Sequence, residues 1–307
     1  MSTKNLEKLF DPASIAVVGA SNRPNSVGYI VFNNLICSHY QGVVFPVNPK
    51  HESVQGVQAF PSVLSLPRSV DMAILATPAP TVAGLVEECG KAGIKGVIII
   101  AAGFAEMGAE GREAMRRIDH IRKRFDLRIM GPNCLGVIRP RNALNAGFAA
   151  SGAKPGTVAF ISQSGALGTA ILDWAQARGI GFSNFVSLGS MMDVDFGDLI
   201  DFFGSDPQTR SILLYIESIT DARRFLSAAR GFAMSKPIIV VKSGRVAEGM
   251  KAAASHTGAL AGEDAIYDAA FRRVGIVRVD RVADLFLAAE TLAMQPLPRG
   301  NRLVIIT

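Results

Sequence analysis

Val158-Ala159-Phe160-Ile161-Ser162-Gln163-Ser164-Gly165-Ala166-Leu167-Gly168 starts as an apolar run, breaks at Ser162 into small hydroxyl, amide and glycine residues, and resumes as a helical pattern. It reads as a strand, a tight turn and a helix N-terminus, the repeating unit of an α/β fold. Free backbone N–H groups at such a turn, reinforced by the helix dipole, bind phosphate or carboxylate without a cationic side chain. Ser162, Gln163, Ser164 and Gly165 are therefore a candidate phosphate cradle, with an ordinary capped helix start as the alternative.

The same pattern extends in both directions. Strands are expected at Phe182 to Leu188, Ser211 to Ile216 and Pro237 to Lys242, with helices at Ala166 to Arg178, Ala222 to Ser235, Ala265 to Val274 and Val282 to Met294. Toward the N-terminus, strands are expected at Ile15 to Val18, Val43 to Val47, Met72 to Leu75, Val97 to Ile100 and Arg128 to Met130. Helices from about Ser26, Val82 to Lys91 and Glu110 to Phe125 supply the crossovers. Apolar strands alternating with helices imply two mainly parallel sheets, each covered on both faces. Residues 149 to 156, small and ending in proline and glycine, mark the boundary. The expected domains are 1–148 and 149–294, with 295–307 a linker and the first strand of a truncated next domain.

In a parallel sheet the strand C-termini line the ligand crevice. Glu217, directly after the apolar run ending at Ile216, is placed there, although a solvated strand-end glutamate fits the same pattern. The first turn, Gly19-Ala20-Ser21-Asn22-Arg23-Pro24-Asn25-Ser26-Val27-Gly28, lacks the dinucleotide glycine spacing. The second strand leads into Asn48-Pro49-Lys50, where an NAD enzyme needs a carboxylate for the ribose hydroxyls. Lysine there suits a phosphate, or is simply a surface lysine in a turn.

His256 lies in Ser255-His256-Thr257-Gly258-Ala259-Leu260-Ala261-Gly262, among residues too small to bury it, in a chain with 4 histidines. Imidazole can serve as base, metal ligand or nucleophile, and small neighbours admit a bulky anion. A loop histidine capping a helix is the plainer reading.

The 307 residues, 49% hydrophobic and 19% charged, are enough for two cores. No apolar run reaches bilayer length and no signal peptide precedes the first strand, so a cytoplasmic protein without membrane contact is expected. The net charge of +6 is mostly scattered. Its densest cluster, Arg116 to Arg124, forms the solvated face of a helix whose apolar positions are Met115, Ile118, Ile121 and Phe125, which argues against a nucleic-acid partner. Cys37, Cys89 and Cys134 lack disulfide or metal-ligand spacing, and no metal site is expected.

Taken in order, Leu9 to Ser21, Gly131-Pro132-Asn133-Cys134-Leu135-Gly136, the Ser162 turn, Glu217 and Ser255-His256-Thr257-Gly258 resemble the NDP-forming acyl-CoA synthetases. That group contains the succinyl-CoA synthetase alpha subunit and ADP-forming acetyl-CoA synthetase. The resemblance implies a CoA-binding Rossmann-like domain followed by a flavodoxin-like succinyl-CoA synthetase-type domain. It implies CoA contacts at Gly19, Ser21, Ser26, Val27, Gly28, Lys50, Thr77, Pro78, Ala102, Gly103 and Asn133. A lysine of the succinyl-CoA synthetase first loop is absent here, which leaves phosphate contacts to N–H groups, hydroxyls and Arg23. The implied chemistry takes acyl-CoA and phosphate to an acyl phosphate, then to a phosphohistidine at His256 oriented by Glu217, then to ADP. ATP/ADP and Mg2+ would be handled by an ATP-grasp domain that the sequence does not contain. An acyl-CoA-sensing region fused to a GNAT-type lysine acetyltransferase domain has similar segments, and an NADP-linked oxidoreductase rests only on the fold and Lys50.

Overall fold

The computed structural model describes residues 3–244 and 264–294, together with 300, 302 and 304. His256 and most of the strand expected from Arg302 onward lie outside the described residues. Among the described residues, no helix is long and apolar enough to cross a membrane.

The first sheet contains β1 (Ser14–Val18), β2 (Val43–Val47), β5 (Met72–Leu75), β6 (Gly96–Ile99) and β7 (Arg128–Met130). A two-stranded ribbon, β3 (Ser53–Val54) and β4 (Val57–Gln58), interrupts the series. The sheet order is β2-β1-β5-β6-β7, and every pair is parallel. Helices α2 (Val27–Cys37), α3 (Ala79–Lys91) and α4 (Ala109–Phe125) provide the crossovers, and the short α1 (Glu7–Phe10) precedes β1. Strands β1, β5 and β6 are buried along their whole length, which explains runs such as Ile15-Ala16-Val17-Val18 in place of alternation. The order reverses between β1 and β5, and that switch point opens a crevice at the strand C-termini.

The second sheet is built from β10 (Lys154–Ser162), β11 (Gly181–Ser187), β12 (Ser211–Ile216), β13 (Ile238–Lys242) and β14 (Val277–Arg278), all parallel. Around it pack α5 (Gly165–Arg178), α6 (Phe196–Ser205), α7 (Ala222–Phe232), α8 (Asp264–Val274) and α9 (Val282–Met294). Its switch point lies between β10 and β12. Two further strands, β8 (Gly136–Arg139) and β9 (Leu144–Gly147), add antiparallel to the β11 edge. The sequence reading gave no strand there. The chain thus passes from the first sheet to the second directly after β7, ahead of the small-residue stretch at 149 to 156.

One apolar core joins the two units: Phe10, Ile15 and Val17 share a buried cluster with Val137, Ile161 and Phe196. Phe10 stacks on Phe202, with ring centroids 5.0 Å apart. Asn34 of α2 donates to the carbonyls of Gly147 (2.9 Å) and Ala149 (3.0 Å), pinning that helix to β9.

A charged lock reinforces the junction. Arg128, at the start of β7 and 8% exposed, donates to Asp193 (3.0 Å) and Asp198 (2.9 Å), both on the segment after β11. Arg122 pairs with Asp193 from α4 at 3.1 Å, and Arg224 with Asp198 from α7. Removing one member of a buried pair strands the others in low dielectric. Arg128→Met should therefore lower stability by about 3–5 kcal/mol in chemical denaturation. A loss below about 1 kcal/mol would show that the lock is dispensable.

Candidate functional site

The C-terminal edge of the first sheet is shaped by backbone contacts that exclude side chains. Gly19 adopts φ +89°, and a Cβ there would lie 2.7 Å from the Ala76 carbonyl oxygen. A Cβ on Gly28 would lie 1.9 Å from the Gly19 carbonyl oxygen, so α2 begins in direct contact with the turn. Ser26 caps α2, accepting from the Tyr29 N–H (3.3 Å) and donating to the Arg23 carbonyl (2.8 Å). Ser21 accepts from the Arg23 N–H at 3.0 Å, which sets the bend of the loop. Asn48 donates to the Ala20 carbonyl (2.8 Å) and accepts from the Lys50 N–H (2.9 Å), tying the end of β2 to the turn after β1.

The remaining predicted contacts follow the next strands. Thr77 accepts from the Thr81 hydroxyl at 3.0 Å, and Pro78 is the N-cap residue of α3. Val27, Lys50, Ala102 and Asn133 are exposed. Gly103, at φ +103°, donates its N–H to Glu106 at 2.6 Å, and Asn133, at φ +57°, donates its N–H to the Ala101 carbonyl at 2.9 Å. The predicted residues thus follow the strand ends in spatial order: Lys50 after β2, the Gly19 to Gly28 loop after β1, Thr77 and Pro78 after β5, Ala102 and Gly103 after β6, Asn133 after β7. Strands spaced about 4.8 Å apart make this a track of roughly 19 Å, suited to a long ligand lying across the edge.

The far end of the track opens into a cavity of about 460 Å³ between the two sheets. Asn133, Cys134 and Leu135 line it from the first side, with the turn after β10, Glu217 and Ser218 opposite. At the switch point Gln163 acts as a clamp. Its carboxamide oxygen accepts from the N–H groups of Glu217 and Ser218, each at 3.0 Å, and its amide donates to the Ser218 hydroxyl at 3.0 Å. The ends of β10 and β12 are thereby fixed together, and Glu217, 8% exposed, is held at the cavity wall.

Two of the N–H groups in the expected cradle, Ser162 to Gly165, are already engaged by the frame of the turn. The Gln163 N–H donates to the Tyr215 carbonyl (3.1 Å), and the Ser164 N–H to the Ser162 hydroxyl (3.1 Å). Ser164 caps α5 by accepting from the Leu167 N–H at 3.3 Å. Among the described residues, the N–H groups of Gly165 and Ala166 have no partner, and both residues line the cavity. These two, at the positive end of a 14-residue helix, are the donors available to an anion. Ser162 and Gln163 form the frame beneath them.

Sequence reasoning missed the wall formed by Gly189, Ser190 and Met191 after β11. Its signal was the one used elsewhere, small residues directly after an apolar strand. A Cβ on Gly189 would lie 2.2 Å from the Pro132 carbonyl oxygen, and the Ser190 N–H donates to that same carbonyl at 2.9 Å. Cys134 lies in this wall with its thiol pushed up to about 12 by burial, so it remains protonated and unreactive at neutral pH.

Residues 13–140 match the family model of a CoA binding domain, and residues 155–292 that of a succinyl-CoA ligase like flavodoxin domain. The alpha subunit of ADP-forming acetate-CoA ligase I from Pyrococcus furiosus is 44% identical over 307 residues, covering 99% of this chain and 66% of the relative. The alpha subunit of the corresponding ligase II is 46% identical over 303 residues, covering 98% and 65%. The solved acetyl-coenzyme A synthetase 1 of Ca. Korarchaeum cryptofilum, in complex with phosphate and ADP, superposes with a TM-score of 0.92 at 40% identity. That match covers 96% of this chain and 64% of the solved one. The chain spans about two thirds of the length of these relatives.

Two outcomes check this geometry. Gln163→Leu leaves two buried N–H groups without an acceptor and should cost about 2–5 kcal/mol in denaturant titration. In the native protein a thiol reagent should label exposed Cys37 rapidly and leave Cys89 and Cys134 unmodified, as mass spectrometry of the digested chain would show.

Proposed function

The chain belongs to the NDP-forming acyl-CoA synthetase family, and from that premise we propose that it is the CoA-binding and phosphoryl-carrying part of an ADP-forming acyl-CoA synthetase. Acetate, the acid named for the two Pyrococcus furiosus relatives, is the proposed substrate. The reaction interconverts acyl-CoA, ADP and phosphate with carboxylic acid, CoA and ATP. The observation that carries this reading is the cavity where the two sheet edges meet, with Glu217 on a strand end whose backbone is clamped by Gln163 and, on the same wall, α5 N–H groups that have no partner among the described residues.

CoA lies along the first sheet edge, with Lys50 near its phosphates and its thiol end toward Asn133 and the cavity. The close backbone approaches at Gly19 and Gly28 leave room for a ligand there that a Cβ would remove. In the cavity, a phosphate oxygen attacks the acyl-CoA carbonyl, the C–S bond breaks and CoA leaves as its thiol, and the oxygens of the acyl phosphate that forms are received by the Gly165 and Ala166 N–H groups. His256, on the segment that follows β13, takes the phosphoryl group as the P–O bond to the acyl oxygen breaks and the carboxylate is released. Glu217 holds the opposite ring nitrogen, fixing the tautomer and balancing the positive charge that develops on the ring. Phosphoryl transfer asks for alignment and charge stabilisation, and the cradle supplies both. Transfer to ADP with Mg2+ belongs to an ATP-grasp partner, either a separate subunit or a continuation of this chain.

The test is phosphoenzyme formation. Chain assembled with an ATP-grasp partner and supplied with γ-labelled ATP should acquire acid-labile phosphate at His256. His256→Ala should abolish the label, and Glu217→Gln should slow its formation by at least about a hundredfold, the scale set by an orienting carboxylate beside a reacting imidazole. Undiminished label in His256→Ala would refute the proposal. Calorimetric titration of the chain with CoA should show saturable binding that Gly28→Ala weakens, because the added methyl forces α2 off the turn.

A further inference from the structure

A second carboxylate reaches the cavity from the first sheet. Glu106 lies on the short turn Ala105–Met107, beyond the end of β6, and lines the cavity together with Asn133 and Glu217. The Gly103 N–H, donated at 2.6 Å, fixes one of its oxygens. The described lining carries three titratable side chains: Glu106, Cys134 and Glu217. Cys134 is buried and its thiol donates to the Ile99 carbonyl at 3.3 Å, so it is a poor proton acceptor. Glu217 stands on the opposite sheet, beside the α5 N–H groups. Glu106 is therefore the carboxylate on the side from which the CoA track enters.

Resting on the synthetase reading above, we propose that Glu106 is the base that takes the thiol proton of CoA when the thioester forms. The S–H bond breaks and its proton passes to the Glu106 carboxylate. The sulfur lone pair forms the C–S bond at the acyl phosphate carbonyl, and the C–O bond to phosphate breaks with its electron pair on the phosphate. The proton then leaves Glu106 for that phosphate, and the carboxylate is restored. In the reverse direction the protonated Glu106 returns the proton to the departing thiolate.

Glutamine keeps an oxygen able to accept from the Gly103 N–H and removes the basicity, so Glu106→Gln separates the base from the brace. In the assembly with the ATP-grasp partner, three quantities are read: CoA affinity, phosphate labelling of His256 from ATP, and acetyl-CoA formation from acetyl phosphate and CoA. Glu106→Gln should leave the first two within threefold of wild type and slow the third by about 10²–10⁴-fold. Glu106→Asp should recover part of that loss. Thioester formation within threefold of wild type would overturn the base assignment, as would a loss traced wholly to weaker CoA binding. Failure of the wild type to label at His256 would count against the synthetase reading, whereas retained thioester formation in Glu106→Gln counts only against the base.

Discussion

The carboxamide oxygen of Gln163, accepting from two successive backbone N–H groups at the end of β12, is the contact on which the rest of the site depends. It bridges strands that are neighbours in space at the point where the sheet reverses its winding. In an open α/β sheet this is where a crevice must form, because the helices after the two strands leave on opposite faces. Without a bridge the two strand ends would carry unpaired backbone groups and spread apart. With it, Glu217 is held at the wall and the start of α5 is aimed into the cavity. Gln163, which itself lines the cavity, has both ends of its carboxamide committed to this frame.

The second sheet edge becomes one wall of a cavity because the first sheet is held against it. Strand β7 and the segment after β11 run side by side, with Met192 donating to the Gly131 carbonyl (3.1 Å) and Val194 to the Ile129 carbonyl (3.1 Å). Arg128 and its aspartates lie at one end of this seam, and the cavity lies at the other. A buried charge cluster is weak evidence for net stability, but Arg128 bonded to two aspartates at once fixes one arrangement of the two units. The antiparallel pair β8 and β9 extends that attachment, since α2 of the first unit is pinned to β9 while β8 pairs with β11. The two strand-end crevices therefore face each other. A long ligand lying along the first can present its end to the cavity that the second walls.

Much of this was legible in the residues. The parallel strands and the principal helices follow from local periodicity, since buried strands read as apolar runs and helices as stripes at a spacing of about 3.6. Hydroxyl, amide and glycine residues after each strand marked the strand-end turns, and those residues do cap helices and form close turns, as Ser26, Ser164 and Gly19 show. Strands β8 and β9 escaped because they are four residues each and interrupted by Pro140 and Asn142, giving no period long enough to read. Helix α6, closed by the reciprocal cap of Asp195 and Asp198, was present in the sequence only as an acidic, apolar run.

The sequence by itself determined which segments are strands and helices, and which strand ends carry polar groups. Those are local properties, written in side-chain period and turn composition. Tertiary structure alone decided which N–H groups remain available, that Gln163 serves as a clamp, and that Glu106, Asn133 and Met191 share a chamber with Glu217. The physical reason is sequence distance: the bonds from Glu217 and Ser218 to Gln163 span 54 and 55 residues, and no local pattern specifies which of two buried partners will accept.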